Sequence, residues 1–106
     1  MIFALIYKRM KIAIIGTGNV GGALATKWAH KGHEINLGVR DTTRFKGENL
    51  LNNPNTQAFS VSEAVQKSEV VVLAVPAVMA VEVTQSLGNT EGKTIIDTMN
   101  IVMGRG

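Results

Sequence analysis

The sequence predicts a single α/β domain built on a parallel sheet of about five strands, in the order 3-2-1-4-5, with helices on both faces. Apolar runs typical of buried strands recur along the chain, and segments of helical character separate them. The first apolar run passes directly into a glycine-rich turn and then into a helical pattern. The chain has 106 residues, which is the length of one domain that can bury a core.

The first strand is predicted at Lys11–Ile15, which is nearly all apolar, as a strand covered on both faces should be. The turn that follows consists of Gly16, Thr17, Gly18, Asn19, Val20 and Gly21. Gly16 allows a sharp turn, Gly18 lets the backbone approach a pyrophosphate, and Gly21 lets the helix pack closely on the strand. The N-terminus of a helix favours an anionic group. This turn therefore predicts the dinucleotide-phosphate site of a Rossmann-type fold.

A helix should follow the turn, because Val20, Leu24 and Trp28 recur at the spacing of one helical face, with Trp28 expected in the core. Gly32 stands where a glycine commonly ends a helix. The second strand is predicted at His33–Val39.

Arg40 follows the second strand, at the position where an acidic residue usually accepts the ribose hydroxyls of NAD. An arginine there can instead bind a ribose 2′-phosphate, and Arg44 and Lys46 add positive charge nearby. Asp41 leaves an alternative open, because a shift of one residue would make it the NAD-type acid. A second alternative is that Arg40 is a solvated arginine that pairs with Asp41. We favour NADP(H) as the cofactor.

The rest of the chain continues the alternation of helices and strands. The predicted elements are a polar, short-helical connection at Thr42–Asn53 ended by Pro54, a third strand at Thr56–Phe59, a capping box at Ser60–Glu63 that opens a helix to about Lys67, a central strand at Val70–Val75, a helix at Ala77–Leu87 between Pro76 and Gly88, and a last strand at Thr94–Met99.

Four motifs together point to one family: G-T-G-N-V-G, G-H-E-I-N-L-G-V-R-D, V-V-V-L-A-V-P and I-I-D-T-M-N. Between Met10 and Asn100 the chain resembles the N-terminal domain of the NADP-dependent oxidoreductases that use a deazaflavin coenzyme. The resemblance implies that Thr17 and Arg40 hold the 2′-phosphate. It also implies that the backbone at Val75 and Pro76 passes close to the nicotinamide-side ribose, although Pro76 is equally well explained as a helix start. Such motifs also occur in other NADP-linked reductases, so they support the cofactor class better than the reaction.

Two further positions bear on this resemblance. Asn100 matches the asparagine that ends the family's last motif, and Asp97 in the same motif either faces the ligand or orders the following turn. Val39 departs from the family pattern, which has a hydroxyl residue there, so weaker selectivity for NADP is expected.

The resemblance implies an oxidoreductase that transfers hydride between NADPH and a deazaflavin coenzyme or a small-molecule acceptor. The family normally continues into a further domain that completes the substrate pocket, and no catalytic side chain is assigned in this chain. The alternative is a non-catalytic NADP-binding module that senses or regulates.

The composition narrows the remaining classes of function. Residues 1–9 are interpreted as an N-terminal extension and residues 10–106 as the cofactor domain; the apolar stretch before Lys8 lacks the order of a signal peptide and is too short to span a membrane. There are no cysteines, and the cytoplasm is the expected location. The net charge of +3 comes from basic residues spread along the chain without an aromatic platform, so nucleic acid is not an expected partner.

Two expectations concern metals and partners. His30 and His33 are interpreted as a helix-end pair rather than as metal ligands, and no metal is expected. The last strand would expose an apolar edge, which predicts a homodimer or larger assembly.

Overall fold

Five parallel strands form the sheet in the computed structural model, which describes residues 8–98. The strands are β1 (Lys11–Ile15), β2 (Glu34–Gly38), β3 (Thr56–Phe59), β4 (Val70–Leu73) and β5 (Thr94–Asp97). The helices are α1 (Asn19–His30), α2 (Val61–Gln66) and α3 (Ala80–Ser86), and two 3₁₀ turns cover Glu48–Asn52 and Ala77–Met79. The strands lie in the order β3-β2-β1-β4-β5, which confirms the predicted doubly wound fold.

Alternate residues of β1 enter two separate cores, one on each face of the sheet. Ile12 and Ile14 pack in the core that contains Ala25 and Ala29 of α1. Ala13 and Ile15 pack in the other core, with side chains from α2 and α3. Because both faces of β1 are covered, its sequence is apolar throughout its buried length, and each fully buried isoleucine contributes about 1.5–3 kcal/mol through burial.

The buried face of α1 consists of small residues, namely Gly21, Ala25 and Ala29. The predicted helix is confirmed, and of its apolar residues Leu24 and Trp28 are partly buried against this core, whereas Val20 is 42% exposed. The small residues have the same four-residue spacing, one position later. They allow α1 to approach the sheet closely, so backbone distance rather than side-chain hydrophobicity selects the buried face.

Several predicted boundaries are confirmed. β3 has the predicted limits, and Ser60 caps α2 by accepting a hydrogen bond from the Glu63 backbone N–H at 3.3 Å. Gly32 follows α1 with a φ of 97°, as expected of a glycine that ends a helix.

Two elements near the end of β4 differ from their predicted form. β4 ends at Leu73 instead of Val75, because the chain at Ala74 packs against the glycine turn: a Cβ on Gly16 would lie 2.5 Å from the Ala74 carbonyl oxygen. The single helix predicted at Ala77–Leu87 is divided into a 3₁₀ turn and α3, and Gly88 ends it with a φ of 80°.

The N-terminal residues 1–7 and the C-terminal residues 99–106, including Asn100, lie outside the described residues. Within residues 8–98 none of the helices combines the length and the hydropathy that a bilayer crossing requires.

Candidate functional site

A cavity of about 1190 Å³ lies at the carboxyl edge of the sheet, around the ends of β1, β2 and β4. β1 is the strand from which the chain winds outward in both directions, since β2 lies on one side of it and β4 on the other. Ligands of open α/β sheets bind in the crevice at this position. The cavity is large enough for a dinucleotide, because pockets for small ligands usually measure roughly 300–1,000 Å³.

Most of the predicted site residues line this cavity. They are Gly16, Thr17, Gly18, Asn19, Val20, Arg40, Val75 and Pro76. Gly21 supports the turn from inside the fold, because a Cβ on Gly21 would lie 1.9 Å from the Gly16 carbonyl oxygen. Arg44 is exposed and is not among the residues that line the cavity.

The three glycines of the turn lack side chains for different physical reasons. Gly16 has a φ of 106° and touches Ala74, and Gly21 touches Gly16, so the fold itself requires both. Gly18 has an ordinary φ of −80°, and a Cβ built on it would meet nothing within 4 Å among the described residues. The protein therefore has no packing reason for a glycine at position 18, where the backbone borders the cavity. This cradle fits a pyrophosphate that approaches the backbone.

The first turn of α1 presents a partial positive charge beside this cradle. Gly22 N–H donates to the Gly18 carbonyl, and the N–H groups of Asn19, Val20 and Gly21 precede this first helical bond. Gly18 has no capping side chain, and none of the residues in the first turn is acidic. The helix N-terminus is therefore suited to an anionic ligand group.

Thr17 connects the glycine turn to the segment that follows β2. Its hydroxyl donates a hydrogen bond to the Lys46 carbonyl. The next residue, Gly47, has a φ of 97°, and this backbone conformation lets the segment approach Thr17 closely. This contact brings Phe45 and Lys46 into the cavity wall. The Thr17 hydroxyl hydrogen is used within the protein in this arrangement, so the hydroxyl would have to rotate to donate to a phosphate.

Arg40 forms an ion pair across the cavity with Glu82 of α3, with 2.8 Å between Nη2 and Oε2. The pairing of Arg40 with Asp41, which the sequence left open, is not the one observed. The Asp41 carboxylate instead accepts hydrogen bonds from the side chain and backbone of Thr43, and these lower the pKa of Asp41 below its usual value. Asp41 is not among the residues that line the cavity.

The cavity also includes residues that the sequence did not single out. Those with polar or bulky side chains are Phe45, Ser60, Ser62, Met79, Glu82, Ser86 and Thr98. Phe45 and Ser60 follow β2 and β3, so their position after a strand was a usable signal. Glu82 and Ser86 lie within a helix, and only the orientation of α3 brings them to the cavity.

The histidines have no visible catalytic arrangement. His33 Nδ1 accepts a hydrogen bond from the Met10 backbone N–H at 3.0 Å, which joins the end of α1 to the chain before β1, and His30 is exposed. Over residues 8–98, no group of three or more His, Cys, Asp or Glu side chains could hold a metal ion.

The sequence and the fold of this chain are similar to those of known oxidoreductases. Residues 11–101 match the family model described as NADP oxidoreductase, coenzyme F420-dependent. A proposed F420-dependent NADP reductase of Arthrobacter sp. FB24 superposes with a TM-score of 0.75 and 29% identity, over 83% of this chain and 44% of that chain. A reductive aminase of Aspergillus terreus, solved in complex with NADPH and ethyl-5-oxohexanoate, superposes with a TM-score of 0.67 and 27% identity, over 85% of this chain and 31% of that chain.

A curated relative gives a similar result. The glycerol-3-phosphate dehydrogenase [NAD(P)+] of Thermoanaerobacter sp. (strain X514) is 32% identical in an alignment that covers 90% of this chain and 32% of that protein. The chain thus spans less than half the length of each of these relatives.

Proposed function

Because this chain belongs to the family of coenzyme F420-dependent NADP oxidoreductases, we propose that it binds NADP(H) at the carboxyl edge of its sheet as the cofactor domain of an oxidoreductase. In this proposal, hydride passes between NADPH and a second cofactor such as a deazaflavin coenzyme, or a small-molecule acceptor.

The open space at Gly18 is the observation that supports cofactor binding most directly. Neither the φ of Gly18 nor its packing against the described residues requires a glycine, whereas a backbone that must approach a pyrophosphate does. The adjacent N-terminus of α1 supplies the electrostatic preference for the phosphates.

Two further parts of the proposed site have defined roles. Arg40 binds the 2′-phosphate, and the backbone at Val75 and Pro76 borders the nicotinamide-side ribose. Asn100, assigned by its position in the family motif, lies outside the described residues. The bound cofactor would supply the hydride, and the residues of this chain bind it and orient it.

The test of this proposal is calorimetric titration of the chain with NADPH and NADH. Charge-assisted hydrogen bonds from Arg40, worth roughly 1.5–3 kcal/mol, should favour NADPH by about tenfold to a hundredfold. Arg40→Ala should remove this preference and leave NADH binding nearly unchanged. Arg9→Ala removes the same charge from an exposed position outside the cavity and should change neither affinity. Equal affinities of the unmutated chain for the two cofactors would contradict the role of Arg40.

Turnover is tested separately, by following the near-ultraviolet absorbance of NADPH in the presence of a deazaflavin coenzyme. Oxidation of NADPH by the chain would support hydride transfer to that coenzyme. Binding without oxidation would restrict the proposal to a module that binds NADP(H).

A further inference from the structure

The Arg40–Glu82 ion pair joins the two sides of the cavity. Arg40 follows β2, Glu82 lies on α3 after β4, and these two strands flank β1 in the sheet. Both side chains line the cavity, with 2.8 Å between Nη2 and Oε2. The arginine proposed to bind the 2′-phosphate is therefore already engaged by a carboxylate of this chain.

We propose that Glu82 is a specificity-determining residue that competes with the 2′-phosphate for Arg40 and thereby weakens the preference for NADP(H) over NAD(H). The inference rests on the proposed function, because it assigns an internal competitor to the arginine on which that function depends.

Carboxylate and phosphate compete here because they use the same feature of arginine. Both bind the planar array of guanidinium N–H donors through two oxygen atoms. Glu82 Oε2 contacts the Nη2 of Arg40, so a 2′-phosphate that binds Arg40 competes with Glu82 for that nitrogen and comes close to a second anion. NAD(H) carries a hydroxyl in place of the 2′-phosphate. Its binding therefore does not compete with Glu82 for Arg40, and it brings no second anion close to Glu82. Glu82 consequently weakens the binding of one cofactor and not of the other.

The exposure of the pair shows that it can be displaced. The Arg40 and Glu82 side chains are 65% and 66% exposed, and ion pairs of this kind are weak because water screens the attraction. A weak pair lowers affinity for the phosphate without abolishing it. Removal of the pair and of the repulsion should therefore change affinity by about two- to tenfold.

The experiment compares Glu82→Gln with the unmutated chain by calorimetric titration with NADP+ and with NAD+. Glu82→Gln should bind NADP+ about two- to tenfold more tightly and NAD+ with unchanged affinity. Glu91→Gln is the matched control, because Glu91 is exposed in the turn before β5 and is not among the residues that line the cavity. This control removes one negative charge as well, and it should alter neither affinity.

A double mutant separates competition for Arg40 from a general effect of charge. In the Arg40→Ala background, most of the gain from Glu82→Gln should disappear. Unchanged or weaker NADP+ binding by Glu82→Gln, or the full gain in the Arg40→Ala background, would overturn the inference while leaving the proposed function intact. Failure of the unmutated chain to bind NADP+ at all would instead overturn the proposed function.

Discussion

Gly18 and Gly21 belong to the same turn, but a side chain at Gly18 should affect cofactor binding, whereas a side chain at Gly21 should affect stability. Gly18→Ala should keep or slightly raise the melting temperature, because the site is open and its φ of −80° suits alanine. The same change should lower the affinity for NADPH. Gly21→Ala should lower the free energy of unfolding by about 1–3 kcal/mol, because its Cβ would lie 1.9 Å from a carbonyl oxygen.

Thermal unfolding and calorimetric titration of the two variants check this prediction. A well-folded Gly18→Ala variant with full NADPH affinity would show that the turn has only a structural role. Gly21→Ala with unchanged stability would mean that α1 can move away from the sheet.

The turn at Asp41 gives a prediction about pH. The side-chain hydrogen bond from Thr43 is the main cause that holds the pKa of Asp41 below its usual value of 3.8. Because the folded pKa is the lower one, any contribution of this carboxylate to stability is present above the unfolded pKa and is lost as the pH falls through the folded pKa. Thr43→Val should raise the pKa of Asp41, measured by its carboxyl carbon chemical shift during titration. An identical titration in both proteins would contradict this assignment.

The residues of the site differ in how far the sequence reveals them. Gly16, Gly18 and Arg40 are specified by local spacing after β1 and β2, so the sequence places them beside the cavity. Glu82 could not be found in this way, because its pairing with Arg40 depends on how α3 is oriented over the sheet. The Thr17 contact with Lys46 likewise depends on the path of an irregular segment.

The packing of α1 can be tested at Ala25, which is fully buried against the sheet. Ala25→Val inserts two methyl groups into this contact and should lower the free energy of unfolding by about 1–3 kcal/mol. Ala23→Val has the same cost in helix propensity at an exposed position of the same helix, so the difference between the variants measures packing alone. Denaturant unfolding gives both values, and equal destabilisation would show that the contact tolerates larger side chains.

The two central strands, β1 and β4, were readily predictable because each is a short and mostly apolar run. β3 and α2 begin where Thr56 and the Ser60 cap predict. The buried face of α1 was not predictable from hydrophobicity, since a pattern of large apolar residues says nothing of how closely two backbones approach. The buried Asn36 in β2 also gave no signal, because its partner is Ser68, which lies between α2 and β4.

The edge of the sheet at β5 leads to a prediction about assembly. Ile95 and Ile96 are 42% and 39% exposed, Val78 in the 3₁₀ turn before α3 is 89% exposed, and Val81 in α3 is 71% exposed. We expect the chain to form a homodimer or larger assembly through β5 or α3, with an interface above about 1,000 Å². Light scattering at micromolar concentration should show the assembly, and Ile95→Lys or Val81→Lys should weaken it. A stable monomer would remove this prediction.

The central position of β1 determines when the cavity can form during synthesis. Ile12 pairs with Ile35 on one side and with Val70 on the other, so the second pairing must wait for a much later part of the chain. A ribosome releases β1 and the glycine turn well before β4, and the cavity needs both. The wall of the cavity is completed late, because pairing β1 with β4 closes the long segment of chain between them, and this closure has an entropic cost. A cofactor that binds only this finished wall would slow unfolding of the native chain and leave its folding rate nearly unchanged.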